Sequence, residues 1–188
     1  MPITFIVKEK ESNYSSPALG KIQNPHDKFF KETFSNIEVT KSFLDYYLPP
    51  EVGEVFEGNK LYPEKDSFID GNLKELFSNL IFSANIKERE YYIYFLFEHK
   101  SYPDKSVAFQ LLKYMAEIWM SKKKKGQAEK LPIILPLVVY HGSPRWNIET
   151  GLGQMISGYE NIPPDILKYI PDYEYLSFKA RRLPLQEM

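Results

Sequence analysis

The sequence predicts a mixed α/β (α+β) domain: a mixed sheet with helices packed on its faces. Three observations predict it. First, two strand-like segments, Asn79–Ile86 (NLIFSANI) and Tyr91–Lys100 (YYIYFLFEHK), are separated only by Lys87-Glu88-Arg89-Glu90, which reads as a hairpin loop. Second, the apolar period then turns helical, with Val107, Leu111, Tyr114, Met115, Ile118 and Trp119 at i, i+3, i+4 spacing. Third, Leu131–Tyr140 (LPIILPLVVY) is almost wholly apolar and β-branched, as in a strand buried on both faces. A hairpin followed by a helical crossover to a buried strand implies a mixed sheet covered by helices.

The elements follow in order. Residues 1–24 carry a Ser/Asn/Pro/Gly stretch and read as a flexible arm. Pro25-His26-Asp27 starts a helix whose Asp27 suits the N-terminal dipole, with Phe29, Phe30 and Phe34 as its apolar stripe. Ser35-Asn36 breaks it. A second helix runs Ile37–Leu48, with Val39, Phe43, Leu44 and Tyr47 on one face, and Pro49-Pro50 ends it. A short strand is placed at Lys60–Pro63 and a polar loop at Asp66–Phe77. After the hairpin, Ser101-Tyr102-Pro103-Asp104 leads into the long helix, which fades in a lysine run and Gly126. Pro136 argues that the Leu131–Tyr140 strand lies at an edge or carries a bulge. Residues 146–188 read as a C-terminal extension, a truncated helical part of something larger.

Composition narrows the classes. The chain has 188 residues, 43% hydrophobic, with 14 Tyr and 13 Phe, enough for one domain with a packed core. Cysteine is absent, which excludes disulfides, a thiol nucleophile and Cys-ligated metal, and fits a reducing cytoplasm. No apolar run is long enough for a membrane span, and MPITFIVKEKESNYSS lacks the apolar region of a signal peptide. The expected setting is cytoplasmic, without a membrane partner. Net charge is −1, so nucleic-acid contact requires a local patch. The candidate patch is Lys105–Lys130, where Lys105, Lys113, Lys122, Lys123, Lys124, Lys125 and Lys130 face only Glu117 and Glu129. Taken alone, that run reads first as a solubilising helix end that complements the macrodipole.

The hairpin concentrates the chemistry. Closing it with Ile86 opposite Tyr91 places Asn79 opposite Glu98, with Cβ atoms roughly 4.5–5.5 Å apart. Strand side chains alternate, so Glu98 and Lys100 share that face and His99 points away. An amide oxygen, a carboxylate and a lysine then meet on an otherwise apolar sheet. Mg²⁺ takes oxygen ligands, often one or two carboxylates with water and phosphate. A lysine beside it can orient water or stabilise charge on a phosphate. These parts suit metal-assisted phosphodiester hydrolysis. A solvated Glu–Lys ion pair of little energetic worth is the plain alternative. His26, His99 and His141 show no zinc spacing. Trp119 and Trp146 are candidates for base stacking or for core packing.

Several segments together resemble a known family. They are Pro25-His26-Asp27-Lys28-Phe29-Phe30-Lys31, Phe43-Leu44 through Leu48-Pro49, Ser67-Phe68-Ile69-Asp70 and Leu73 through Ser78-Asn79-Leu80. Tyr94 through Phe97-Glu98-His99-Lys100-Ser101, the helix with Lys113-Tyr114, and Pro136-Leu137-Val138-Val139-Tyr140-His141-Gly142 follow in order. Over roughly residues 24–145 the chain resembles the recombination-promoting nucleases, the YhgA-like transposase family, a branch of the PD-(D/E)XK nuclease superfamily. The resemblance implies a nuclease-like domain over 25–145 with a central mixed four-stranded sheet, a restriction-endonuclease-like core. It implies Mg²⁺-dependent DNA cleavage that promotes recombination, with Mn²⁺ able to substitute. The family's metal-binding Asp falls on Asn79, its Glu on Glu98 and its Gln on Lys100, which restores the superfamily's Glu-x-Lys pattern. Gln110 and Tyr114 resemble the Gln-x-x-x-Tyr element of related nucleases, or are ordinary helix surface and core. Asp70 and Glu75, or Glu32 and Asp27 of the first helix, are acids that could support the site. Solvated and capping roles compete for all four.

Asn at position 79 keeps the shape of Asp and removes its charge, which predicts weaker metal binding and slow or absent cleavage. Two expectations follow. One is a DNA endonuclease using Asn79, Glu98 and Lys100, with Lys113, Lys122, Lys123, Lys124 and Lys125 holding the DNA backbone. The other is an inactive DNA-binding or regulatory protein of the same fold, forming a homo-oligomer or pairing with a full-length relative. A structural ion pair in an unrelated α/β domain is the third.

Overall fold

Two short helices, α1 (Pro25–Phe34) and α2 (Ile37–Tyr47), begin the structure. The computed structural model describes residues 25–56, 60–64, 80–86, 89–124, 130–142 and 144–179. The break at Ser35-Asn36 is a cap: the Asn36 side chain accepts from the backbone N–H groups of Glu38 and Val39. Buried Thr40 donates its hydroxyl hydrogen to the Phe34 carbonyl at 2.6 Å and fixes the angle between the helices. Phe34 and Phe43 meet edge to face at 5.1 Å. Pro50 was expected to end α2; it also opens a further helix, α3 (Pro50–Phe56). Proline is at ease in the first turn, where its missing N–H has no intrahelical partner.

The strands are β1 (Leu61–Pro63), β2 (Leu80–Ile86), β3 (Arg89–Lys100), β4 (Ile133–Tyr140) and β5 (Leu176–Lys179). They form one mixed sheet in the order β1-β2-β3-β4-β5. Among the described residues the sheet therefore has five strands, not the expected four. The first three are antiparallel, while β3–β4 and β4–β5 are parallel. The long helix α4 (Val107–Lys124) makes the crossover between β3 and β4.

The hairpin register matches expectation over Leu80–Asn85, which pair in turn with Phe97–Tyr92. It departs at Ile86, which pairs with Arg89 instead of Tyr91 across a register shift. The bulge carries the strand past Tyr91, so Arg89 and Glu90 belong to β3 and not to a loop.

Two clusters cover the sheet. On one face, Ile81, Ile134 and Val138 pack against Val107, Ala108, Leu111, Tyr114, Met115 and Ile118 of α4. On the other, Phe82, Ala84, Leu137 and Val139 pack against Phe30, Phe43, Leu44 and Leu48. Val138 and Val139 thus serve opposite cores, the two-sided burial expected of an apolar strand. Pro136 lies in an interior strand, yet β5 joins β4 only from Leu137 onward. Among the described residues, β4 pairs at Pro136 with β3 alone, which is where a missing donor is tolerated.

The C-terminal segment differs from the expected helical extension. Its described residues hold two 3₁₀ turns, Gly153–Met155 and Tyr159–Asn161, one short helix, α5 (Pro164–Leu167), and β5. Asp172 ties it together by accepting from Gly153 N at 2.7 Å, Tyr173 N at 2.8 Å and the Tyr159 hydroxyl at 2.6 Å. Tyr173 donates its hydroxyl hydrogen to the Ala108 carbonyl and so fastens the segment to α4. The 1–24 arm and the 66–77 loop lie outside the described residues. Among the described residues, no helix is long and apolar enough to cross a membrane.

Candidate active site

The carboxyl ends of β3 and β4 lie side by side, with Glu98, His99 and Lys100 paired to Val138, Val139 and Tyr140. In open α/β sheets this end of the strands is where ligands gather. His141 continues the ladder: its backbone N–H donates to the Lys100 carbonyl at 3.1 Å. The His141 Nδ1 lies 3.2 Å from the same oxygen. Gly142 follows where a side chain has no room. A Cβ there would overlap the Ser101 carbonyl oxygen and the Tyr140 hydroxyl.

Lys100 is the centre of the polar cluster and only 8% exposed. Its Nζ donates to Gln110 Oε1 at 2.8 Å and to Asp104 Oδ2 at 3.0 Å. The Gln110 Nε2 in turn donates to the hydroxyl oxygen of buried Tyr114, one turn along α4. Gln110 and Tyr114 are therefore linked to Lys100. They sit where the helix meets the end of β3.

Asp104 is the group that sequence reasoning missed. It lies in the link between β3 and α4, and its Oδ1 accepts from Ser106 N at 2.9 Å and Ser106 Oγ at 2.7 Å. Burial pushes its carboxyl upward. The Ser106 hydrogen bonds, the Lys100 hydrogen bond and the lysine charge outweigh burial and hold it below the usual value. The available signal was an Asp two residues before a Ser at a helix start, the pattern of an Asx-turn.

Asn79, Asp70, Glu75 and Lys125 lie outside the described residues. Glu98 is placed through its backbone pairing with Val138. Glu32 is exposed on α1, and Lys113 and Lys123 are exposed on α4, whose last residue is Lys124. Lys122 departs from the expected basic surface. It is buried, and its Nζ lies 3.7 Å from Glu64 Oε2. Trp119 donates its indole N–H to the Pro132 carbonyl at 2.9 Å, and Trp146 packs on Tyr140 with ring centroids 5.0 Å apart. Both indoles belong to the core beneath α4. Among the described residues, no three His, Cys, Asp or Glu side chains gather as a metal site.

Comparison with known proteins adds to this geometry. Residues 24–188 match a family model described as "Putative transposase, YhgA-like", which sets the class: a transposase-like domain on a mixed α/β sheet. The chain belongs to that family. It is similar to the recombination-promoting nuclease RpnD of Escherichia coli O157:H7, 31% identical over 119 residues, 63% of this chain and 46% of the relative. RpnC of Escherichia coli strain K12 is 32% identical over 118 residues, 63% of this chain and 39% of that protein. The inactive recombination-promoting nuclease-like protein RpnE of the same strain is 31% identical over 119 residues, 63% of this chain and 40% of its own length. In each case the match spans less than half of the relative. No solved structure matches the chain.

Proposed function

We propose that the chain is a metal-dependent DNA endonuclease of the recombination-promoting type with a restriction-endonuclease-like core, its activity weakened by Asn79. The observation that carries this reading is the hairpin register. Leu80 pairs with Phe97, one step from Asn79 and Glu98, and Lys100 stands two residues further along β3, buried against Gln110 of α4. Among the described residues no three acidic or His side chains gather, so a resident cation would rest on one carboxylate, neutral oxygens, water and substrate phosphate, the sparse set that Mg²⁺ accepts. Glu98 and Asn79 would hold it, and Mn²⁺ would serve in its place. Bound there, the ion supplies Lewis-acid polarisation of the phosphate and a more acidic water. Lys100 orients that water or stabilises charge growing on the phosphate. Exposed Lys113 and Lys123, with Lys124 and Lys125, hold the DNA backbone in a salt-sensitive, sequence-blind manner. Asp70 and Glu32 remain supporting acids in this reading.

A second reading is favoured by the neutral side chain at position 79 and by the likeness to a relative named inactive. The chain then binds DNA, or pairs with itself or a full-length relative, without cutting.

Cleavage of supercoiled plasmid with Mg²⁺ or Mn²⁺ separates the two. Native chain, Asn79→Asp and Glu98→Ala are run side by side. Nicking by the chain or by Asn79→Asp, with none by Glu98→Ala, supports the endonuclease. Retardation of DNA on a gel with no cleavage by any variant supports the binding module.

A further inference from the structure

Lys100 is held from two sides by groups with different anchors. Gln110 stands on α4 and is itself hydrogen-bonded to Tyr114. Asp104 stands on the link between β3 and α4, and its second oxygen is occupied by Ser106 Oγ and N. The carboxylate therefore cannot swing freely. One oxygen closes the turn that starts the helix, and the other is aimed at the lysine. A long, flexible lysine side chain loses most of its rotamer freedom when two anchored acceptors take its hydrogens.

We propose that Asp104 is a positioning residue of the site, anchored by Ser106, which fixes the Lys100 ammonium against Gln110 and presents it from the β3–α4 junction in one orientation. The inference deepens the endonuclease reading and rests on it for its catalytic consequence. A catalytic group misplaced by about 1 Å can lose on the order of 100-fold in rate. Asp104 acts through Lys100 and does not touch the substrate.

Asp104→Asn is the discriminating variant. Asn closes an Asx-turn as well as Asp does, so the Ser106 contacts and the start of α4 survive while the charged contact to Lys100 is lost. Asp104→Glu restores the charge and serves as the rescue. The background for kinetics is Asn79→Asp. There, at a temperature where every variant remains folded, Asp104→Asn lowers kcat about tenfold or more and leaves KM within about twofold, with a modest drop in thermal midpoint from the lost ion pair, while Asp104→Glu recovers part of kcat. An unchanged kcat overturns the proposal. So does a kcat loss that the variant's unfolded fraction accounts for and that Glu does not recover.

A second readout needs no cleavage. Folded native chain and Asp104→Asn are exposed to an amine-reactive succinimidyl ester, and Lys100 labelling is quantified by peptide mass spectrometry against exposed Lys113 and Lys123. Faster labelling of Lys100 in Asp104→Asn, with the reference lysines unchanged, supports the hold. Equal labelling overturns it. If neither the native chain nor Asn79→Asp cleaves, the endonuclease reading fails by that result alone. The labelling ratio still decides whether Asp104 fixes Lys100.

Discussion

Lys122 and Glu64 form an ion pair, Nζ to Oε2 3.7 Å, that joins the last turns of α4 to the residue following β1. Both side chains are largely removed from water. Lys122 thereby leaves the basic surface that its neighbours were expected to share. Replacing it with alanine leaves the largely buried Glu64 without this partner and is expected to lower stability by about 1–3 kcal/mol. On the proposed DNA-binding reading, DNA affinity should change little. On the same reading, Lys113→Ala and Lys123→Ala should do the reverse, leaving the denaturation midpoint in place and each reducing the salt dependence of DNA binding by about one counterion. Urea titration and a salt series of gel retardation read both halves.

Asn36 caps α2 through its side-chain oxygen. Asn36→Ala removes the acceptor for the Glu38 and Val39 N–H groups and should cost about 1 kcal/mol in denaturant unfolding, with Asn36→Ser nearly neutral. Equal stability of the alanine and native chains would show that water replaces the cap without loss.

Gly142→Ala pushes a methyl group into the Ser101 carbonyl and the Tyr140 hydroxyl. The backbone oxygen cannot step aside as a flexible side-chain tip would. A loss of about 1–3 kcal/mol is expected. Because Ser101 adjoins Lys100, the same change should also disturb the end of β3. Thermal unfolding and Lys100 labelling, measured together, test the coupling.

Stability should erode at both pH extremes for different reasons. Asp104 and Asp172 sit below their ordinary carboxylate value of 3.8. Burial opposes that shift in both and is outweighed by hydrogen bonds, with the Lys100 charge helping at Asp104. Folded values below unfolded ones mean stabilisation that is present above 3.8 and lost as pH falls through the lower folded values. Tyr175 runs the other way. Burial is the main cause that pushes its phenol up from 10.0 to about 12, aided by the charges of Asp104 and Glu149. Burial likewise raises Tyr173. Their stabilisation is complete below pH 10.0 and is lost as pH climbs toward about 12. Asp172→Asn should flatten the acid limb and Tyr175→Phe the alkaline limb of a stability–pH curve from urea unfolding.

The parts of the fold legible in the sequence were those decided by neighbours along the chain. The β2–β3 register could be read because a short connection leaves few ways to close a hairpin, and alternation then fixes which residues share a face. The period of α4 and the two-sided burial of β4 were equally local. β5 was not legible, although LSFK alternates as a half-buried strand should. Its partner, Leu137–Tyr140, lies far back in the sequence, and no local pattern names it. α3 was hidden because a proline that ends one helix can begin the next. In the site, Lys100 could be read from strand alternation, and Gln110 and Tyr114 only through the resemblance to related nucleases, with plain helix surface and core as the rival reading. Asp104 could not, because its contact depends on how the link between β3 and α4 turns back.

The late arrival of β5 bears on how the protein is made. During synthesis, β4 leaves the ribosome before residues 141–175 and then β5 are added, a delay of about 2–7 s at typical elongation rates. Through that interval the Leu137–Tyr140 edge of the nascent sheet has bare N–H and C=O groups set among Leu137, Val138 and Val139. Such an edge is a template for pairing between neighbouring chains on a polysome. Growth conditions that slow translation or crowd nascent chains should therefore favour inclusion bodies, and a chaperone that shields apolar edges should favour native yield.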